Sequence, residues 1–304
     1  MKTQFLSRLI PASLGLALLA GIGCTPEKND GELGSLPKAD FEIIQATGSN
    51  KVKLVNKTNM PSMAYWTLSN GQKFSGDTAT ASFTFAGTYK ATLLVAAHGG
   101  LDSISKNITI TQNDPTACQD PNNVQAFLAG CTQKKWRLMP SGYAEMVGPN
   151  PGDGSWWGNP AGDVTGQGAC EWNDDYLFSF DAPGTYKFDN KGDFYDDGYM
   201  GLSNFTCEPN ANLTGAQALW GSGTFSYTVT PASNGSRAKL TLNGRGAHVA
   251  MAKVQNGGEF TSGPVNNSLT YDILSMTHES GYDKLVLTVQ AGSGVWWTYT
   301  LRTF

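Results

Sequence analysis

The sequence predicts an all-β protein, an immunoglobulin-like (PKD-type) β-sandwich followed by a larger jelly-roll-like β-sandwich. Three observations carry this expectation. Apolar and polar residues alternate over short runs, the period-two pattern of strands with one buried face. Turn formers are abundant, with 36 glycines and 14 prolines in 304 residues, and many of them fall between those runs. Only 15% of residues are charged, while 8 Trp, 11 Tyr and 14 Phe supply large apolar surfaces. That composition suits packed sheets better than long solvated helices.

The chain opens with Lys2, Arg8, an apolar run from Leu9 to Leu19, and Gly21-Ile22-Gly23-Cys24. A basic start, a short apolar core and small residues before a cysteine read as a bacterial lipoprotein signal peptide over residues 1–23, with Cys24 as lipid acceptor. The apolar run is shorter than the ~20 residues a membrane-spanning helix needs. An ordinary cleaved leader is the alternative, because Gly21 stands where lipoprotein leaders usually carry Leu or Val. Residues 24–37 are polar and contain Pro26, Gly31, Gly34 and Pro37, the composition of a flexible tether. Glu27, Asp30 and Glu32 place acid near the anchor. That arrangement resembles the signal sending Bacteroidetes lipoproteins to the outer face of the outer membrane, so the expected location is lipid-anchored and facing the cell exterior.

Residues 38–112 form the first expected domain. Strand patterns occur at Phe41 to Ile44, Lys51 to Asn56, Met63 to Leu68, Thr80 to Phe85, Gly87 to Ala96 and Ile104 to Thr111, separated by turns such as Ser69-Asn70-Gly71. Strands this short and this closely spaced indicate a sandwich. The segments Ala64-Tyr65-Trp66-Thr67-Leu68-Ser69-Asn70-Gly71 and Phe83-Thr84-Phe85-Ala86-Gly87-Thr88-Tyr89 resemble the strand-C tryptophan and the aromatic-Gly-x-Tyr motif of PKD domains. Trp66 is then an inter-sheet core residue and Tyr89 a corner residue bonded to backbone. The domain serves as a spacer.

Turn residues gather in Gln112 to Asn123 (QNDPTACQDPNN), marking a boundary, and residues 113–304 form the second domain. Four cysteines remain there, an even number suited to an oxidising compartment. They allow three pairings, of which Cys118–Cys131 with Cys170–Cys207 is the most local. The short Cys-x2-4-Cys spacings of a zinc site are absent from the sequence. A net charge of −4 without Lys/Arg clusters gives no footprint for nucleic acid.

Seven of the eight tryptophans lie in this second domain. Trp156 and Trp157 sit between Gly154 and Pro160, and adjacent strand residues point to opposite faces. One ring is therefore expected outside and one inside, with Trp156 the outward candidate; closure of one end of the core by both is the competing account. In Val295-Trp296-Trp297-Thr298-Tyr299-Thr300-Leu301 the same alternation places Trp297, Tyr299 and Leu301 inside and Trp296 outside. An exposed indole offers the flat surface on which a pyranose ring stacks. The acidic stretch Glu171 to Asp197, which includes Asp174 and Asp175, raises a structural calcium as one option and metal-free turns as the other; it lacks the spacing of an EF-hand. No other cofactor is expected. Glu259, beside Gly257 and Gly258, is a candidate for bonding sugar hydroxyls, and His248, flanked by apolar residues, is expected to be a structural histidine.

Across residues 134–297 the order Lys134 to Trp136, Gly148-Pro149, Trp156-Trp157, Asn173-Asp174-Asp175-Tyr176-Leu177-Phe178, Asn256 to Glu259 and Trp296-Trp297 resembles surface glycan-binding lipoproteins of Bacteroidetes polysaccharide-utilisation loci. The resemblance implies a non-catalytic protein that captures polysaccharide, β-glucans such as laminarin, beside a glycan importer and hydrolases. The expected glycan contacts are Trp156, Trp157, Trp296, Glu259 and Asp175. The insertion around Cys207 departs from the pattern. A jelly-roll glycosidase and a surface adhesion protein are the alternatives. The sequence lacks a paired Glu-x-Asp-x-x-Glu strand motif, His-Glu-x-x-His and Gly-x-Ser-x-Gly.

Overall fold

The computed structural model describes residues 34–199, 205–233 and 235–304; the leader, Cys24 and the tether up to residue 33 lie outside the described residues. The N-terminal half contains β1 (Phe41–Ile44), β2 (Lys51–Asn56), β3 (Met63–Leu68), β4 (Lys73–Ser75), β5 (Thr78–Ser82), β6 (Gly87–Ala97) and β7 (Gly100–Ile110). They form two antiparallel sheets, ordered β1-β2-β5 and β4-β3-β6-β7. Alternation is strict where it matters, as in β3, whose Ala64, Trp66 and Leu68 are buried and whose intervening residues face out. Trp66 fills the inter-sheet core edge-on to Phe41, and its indole N–H donates to the Gly76 carbonyl at 2.8 Å. The Tyr89 hydroxyl donates to the Phe85 carbonyl at 2.9 Å, the corner role its motif implies.

After this sandwich come the helix α1 (Val124–Ala129), capped by Asn123 Oδ1 accepting from the Gln125 and Ala126 amides, and the Cys118–Cys131 disulfide. The strands that follow are β8 (Gln133–Leu138), β9 (Glu145–Gly148), β10 (Trp157–Gly158), β11 (Asp175–Ser179), β12 (Gly184–Asp189), β13 (Asp193–Tyr195), β14 (Cys207–Pro209), β15 (Gly223–Thr230), β16 (Lys239–Asn243), β17 (Val254–Gln255), β18 (Gly258–Glu259), β19 (Ser268–Glu279), β20 (Tyr282–Gly292) and β21 (Val295–Thr303). The second disulfide, Cys170–Cys207, ties the segment before β11 to β14. Both bridges are the local pairings expected from the sequence.

Both halves are all-β, as predicted. In the second half the large sheet has ten strands, and β9 and β10 extend one flank of it. The other eight, β8-β11-β12-β15-β16-β19-β20-β21, each pair antiparallel with the next, and β21 returns to β8 through Leu301 opposite Leu138 and Thr303 opposite Trp136. The two layers are thus joined along β21 and β8 into a closed ring whose eight strands are adjacent in chain order. The reason is local. Ser280-Gly281 and Ser293-Gly294 are two-residue links between long strands, and Gly281 and Gly294 adopt φ of 88° and 70°, so each strand turns straight back onto its predecessor.

The ring is filled. Residues 244–254, between β16 and β17, carry Val249, Ala250, Met251, Ala252 and Val254 into its interior, where all five are buried. An irregular segment inside a core must find partners for its peptide groups. Tyrosines of the wall supply them. The Tyr271 hydroxyl accepts from the Val249 amide at 2.9 Å and donates to the Val249 carbonyl at 3.3 Å; the Tyr176 hydroxyl accepts from the Ala250 amide at 3.0 Å; and the Tyr186 hydroxyl donates to the His248 carbonyl. Tyr199 accepts from the Lys253 amide at 3.1 Å. Replacing Tyr271 by Phe leaves a buried amide unpaired, and urea unfolding should show a loss of about 1–3 kcal/mol, with Tyr65→Phe as the exposed control.

Candidate functional site

The side chains that matter gather where the ring is interrupted. The strand that begins as β8 leaves the sheet after Leu138 and resumes as β9 along the same edge of β21, pairing Tyr299 with Glu145, Trp297 with Val147 and Trp296 with Gly148. β10 adds to the other side of β9, placing Trp157 opposite Val147. Directly paired residues share a face, so Trp157, Val147 and Trp297 stand in one row. The Trp157 and Trp297 rings lie 5.9 Å apart at 56°.

Trp297 is buried and fixed. Its indole N–H donates to Glu259 Oε1 at 2.7 Å, while Glu259 Oε2 pairs with Lys253 at 3.1 Å and Lys253 also pairs with Asp197. Glu259 therefore joins the aromatic group through Trp297, a role not visible in sequence because 38 residues separate the two. The outer ring of the row, Trp157, is 41% exposed, and Trp156 beside it is 57% exposed. One of this pair was expected inside. Both stay out because β10 is two residues long and is the terminal strand of the sheet, leaving alternation no second layer to bury against.

Tyr143 completes the display at 61% exposure and was missed in the sequence. Its ring lies on Gly158 so closely that a Cβ there would come within 2.3 Å of Tyr143 Cδ1. Asn159, fully buried, fastens this hairpin. Its Oδ1 accepts from the Glu145 amide at 2.9 Å, its Nδ2 donates to the Ser141 carbonyl at 3.1 Å, its backbone N–H donates to the Glu145 carbonyl at 3.0 Å, and its carbonyl accepts from the Tyr143 amide at 2.9 Å. The three exposed rings thus stand on a backbone whose polar groups are satisfied. A Ser-Gly-Tyr loop carries no signal of this in the sequence.

Trp296 is half-buried on the opposite face of β21 from Trp297, in the alternation expected. Residues 149–154 cross that face, where Asp153 O lies where a Cβ on Gly148 would sit and the Gly152 amide donates to Thr298 Oγ1 at 3.0 Å.

Asp175 requires a correction. It is buried in the barrel wall away from the rings, its oxygens engaged by Arg137 and Lys191 at 2.6 Å each. Burial disfavours its charge, but these cations outweigh that and hold the carboxyl below its usual range. Arg137 pairs in the ladder with Arg302, five residues from Trp297 along β21, or about 17 Å. Asp174 and Asp175 are both buried, and Asp175 is used up in the ion network.

Elsewhere in the acidic stretch Asp189 accepts from Lys191, whereas Glu171 and Asp174 turn inward. Among the described residues no group of three or more His, Cys, Asp or Glu side chains is arranged to hold a metal ion. Glu171 meets Glu145, which faces Tyr299 across the ladder beneath the aromatic hairpin. Burial, then mutual repulsion, pushes Glu145 well above the carboxylate range; burial and the neighbouring Asp197 push Glu171 up to about 8. The two carboxyls lie within hydrogen-bonding reach and share protons at neutral pH. His248 is buried against Phe188 with Nδ1 at 2.8 Å from the Gly246 carbonyl, and burial lowers it to about 4, consistent with the structural role expected.

A carboxyl whose pKa is raised on folding stabilises the fold below its unfolded value and loses that contribution as pH rises to the folded value. Thermal melts should therefore show stability falling as pH climbs from about 4.5 to about 8. Glu171→Gln should flatten this fall; an unchanged slope would remove the pair as its origin.

No family model matches the chain, and no curated protein matches it. Solved structures that match include the PKD1 domain of Vibrio anguillarum Epp, at 23% identity and TM-score 0.24, covering 26% of this chain and 96% of that one. The PKD1 domain of the Vibrio cholerae metalloprotease PrtV matches at 26% identity and TM-score 0.24, covering 26% of this chain and all of that one. A structure described as the basis for promiscuous specificity of carbohydrate-binding modules from the β-sandwich superfamily matches at 12% identity and TM-score 0.23, covering 88% and 91% of the two chains.

Proposed function

We propose that the protein is a cell-surface glycan-binding lipoprotein, anchored through Cys24 in the outer membrane, that holds polysaccharide on the exposed rings of the β9–β10 hairpin, Tyr143, Trp156 and Trp157, for neighbouring hydrolases and an importer. The observation that carries this reading is the exposure of three aromatic rings on one pinned hairpin, with Trp157 backed by the fixed ring of Trp297. A rigid, solvent-facing π-surface stacks the C–H face of a sugar, and no chemical step is required of it. Trp296 offers a further ring on the opposite face of β21. β-Glucans such as laminarin are the ligand class that the family resemblance implies.

A specific observation also bears on the hydrolase alternative. A retaining glycosidase sets two carboxyls about 5–5.5 Å apart on either side of a sugar bond, and an inverting one sets them about 6.5–9.5 Å apart. Glu145 and Glu171 are an acidic pair near the aromatic surface, yet both are buried rather than set on either side of an exposed groove.

Calorimetry with laminarin tests the binding surface. Trp157→Ala and Trp156→Ala should each weaken binding by about 1–3 kcal/mol, the scale of base–aromatic stacking, whereas Asp175→Asn should leave affinity unchanged. Wild-type affinity in both tryptophan variants would overturn the assignment. Release of oligosaccharide by the wild-type protein would replace it with a hydrolase.

A further inference from the structure

The outer face of the sheet β4-β3-β6-β7 carries a graded pattern. Register places Met63 opposite Ala96 and Ala96 opposite Leu101; the next row holds Tyr65, Leu94 and Ser103; the next holds Thr67, Thr92 and Ser105. One end of this face is thus apolar, with Met63 62% and Leu101 65% exposed, and the other is hydroxylic, with Thr92 and Ser105 hydrogen-bonded at 2.9 Å. An exposed apolar cluster set off by polar neighbours marks an interaction site.

Two placements identify what covers it. The hydroxylic end leads to the Ser69–Gly71 turn, where a Cβ on Gly71 would sit 3.2 Å from Thr230 of the barrel half, so the apolar end points away from that half. The apolar end is also where the described chain begins. Residues 34–36 lie along the Gly99-Gly100 turn so tightly that a Cβ on Gly99 would meet the Ser35 carbonyl at 2.1 Å, and exposed Leu36 lies against Gly100. From Cys24 to Gly34 the chain spans at most about 35 Å. A lipid on Cys24 therefore keeps the membrane within one short tether of this end, and so short a link gives millimolar effective concentration, enough for a weak surface contact to persist.

We propose that Met63, Tyr65, Leu94 and Leu101 form a lipid-facing patch that rests on the outer-membrane surface and holds the spacer domain upright. The inference rests on lipid attachment at Cys24, which metabolic labelling with a palmitate analogue, lost in Cys24→Ala, checks separately.

The decisive experiment is co-sedimentation of the chain from Thr25 onward, which keeps every described residue, with vesicles of equal parts phosphatidylethanolamine and phosphatidylglycerol. The wild type should partition onto vesicles at millimolar lipid, and a Met63→Asp, Leu101→Asp double variant should lose about tenfold or more in apparent affinity. Thr67→Asp, on the hydroxylic end of the same face, should bind as wild type. Circular dichroism melts confirm that all three are folded, since the altered positions are exposed. Failure of the wild type to bind, equal binding by the double variant, or an equal loss in Thr67→Asp overturns the proposal. A concentration-dependent dimer in sedimentation velocity that the double variant abolishes would assign the face to a second copy instead. None of these outcomes depends on glucan affinity.

Discussion

The second half of the molecule depends on tyrosine hydroxyls reaching inward to the peptide groups of residues 244–254. A closed eight-stranded wall leaves a space that side chains alone can fill, yet here a stretch of main chain occupies part of it. That is tolerable only if each buried N–H and carbonyl finds a partner, because an unpaired peptide group inside a core costs on the order of 1–3 kcal/mol. Tyr176, Tyr186 and Tyr271 meet this need from three different strands while their rings pack as core. Filling the ring is what makes its wall rigid, and the rigidity is passed to β21, on which the aromatic surface is built.

The aromatic surface depends in turn on a second buried arrangement. Trp297 cannot turn because Glu259 accepts its N–H and is itself held by Lys253, and Trp157 leans on Trp297. Beneath them Glu145 and Glu171 share protons in a setting that excludes water. The polar groups close to the rings are thus occupied with one another, and the exposed surface is left to the indoles and Tyr143. Such an arrangement favours recognition by shape and stacking over recognition by charge.

Much of this was legible in the sequence, and the parts that were not share a cause. Strand period, turn residues and the most local cysteine pairing follow from neighbours in the chain, and so do the inward positions of Trp66, Trp297 and Tyr299. The hairpins of β19, β20 and β21 were within reach as well, since their two-residue links demand adjacent antiparallel strands, whereas ring closure pairs β21 with β8 far earlier in the chain. What stayed hidden required contacts between distant segments. The bond from Trp297 to Glu259 crosses 38 residues, the pairing of Glu145 with Glu171 joins a strand to a single turn, and the capture of Asp175 by Arg137 joins neighbouring strands. Alternation also misled at Trp156-Trp157, because the rule presumes a second layer that a two-residue terminal strand lacks.

The break between β8 and β9 separates two responsibilities. Closure of the ring rests on Leu138 and Trp136 meeting Leu301 and Thr303, whereas the rings that face solvent are borne by segments outside that seam, residues 139–144 and 149–158. The excursions still touch the seam at their ends, where Met139 donates to the Thr300 carbonyl at 2.8 Å and Thr300 donates to the Ala144 carbonyl at 2.7 Å. The solvent-facing rings of the barrel half are therefore carried largely by excursions from the wall rather than by the strands that close it.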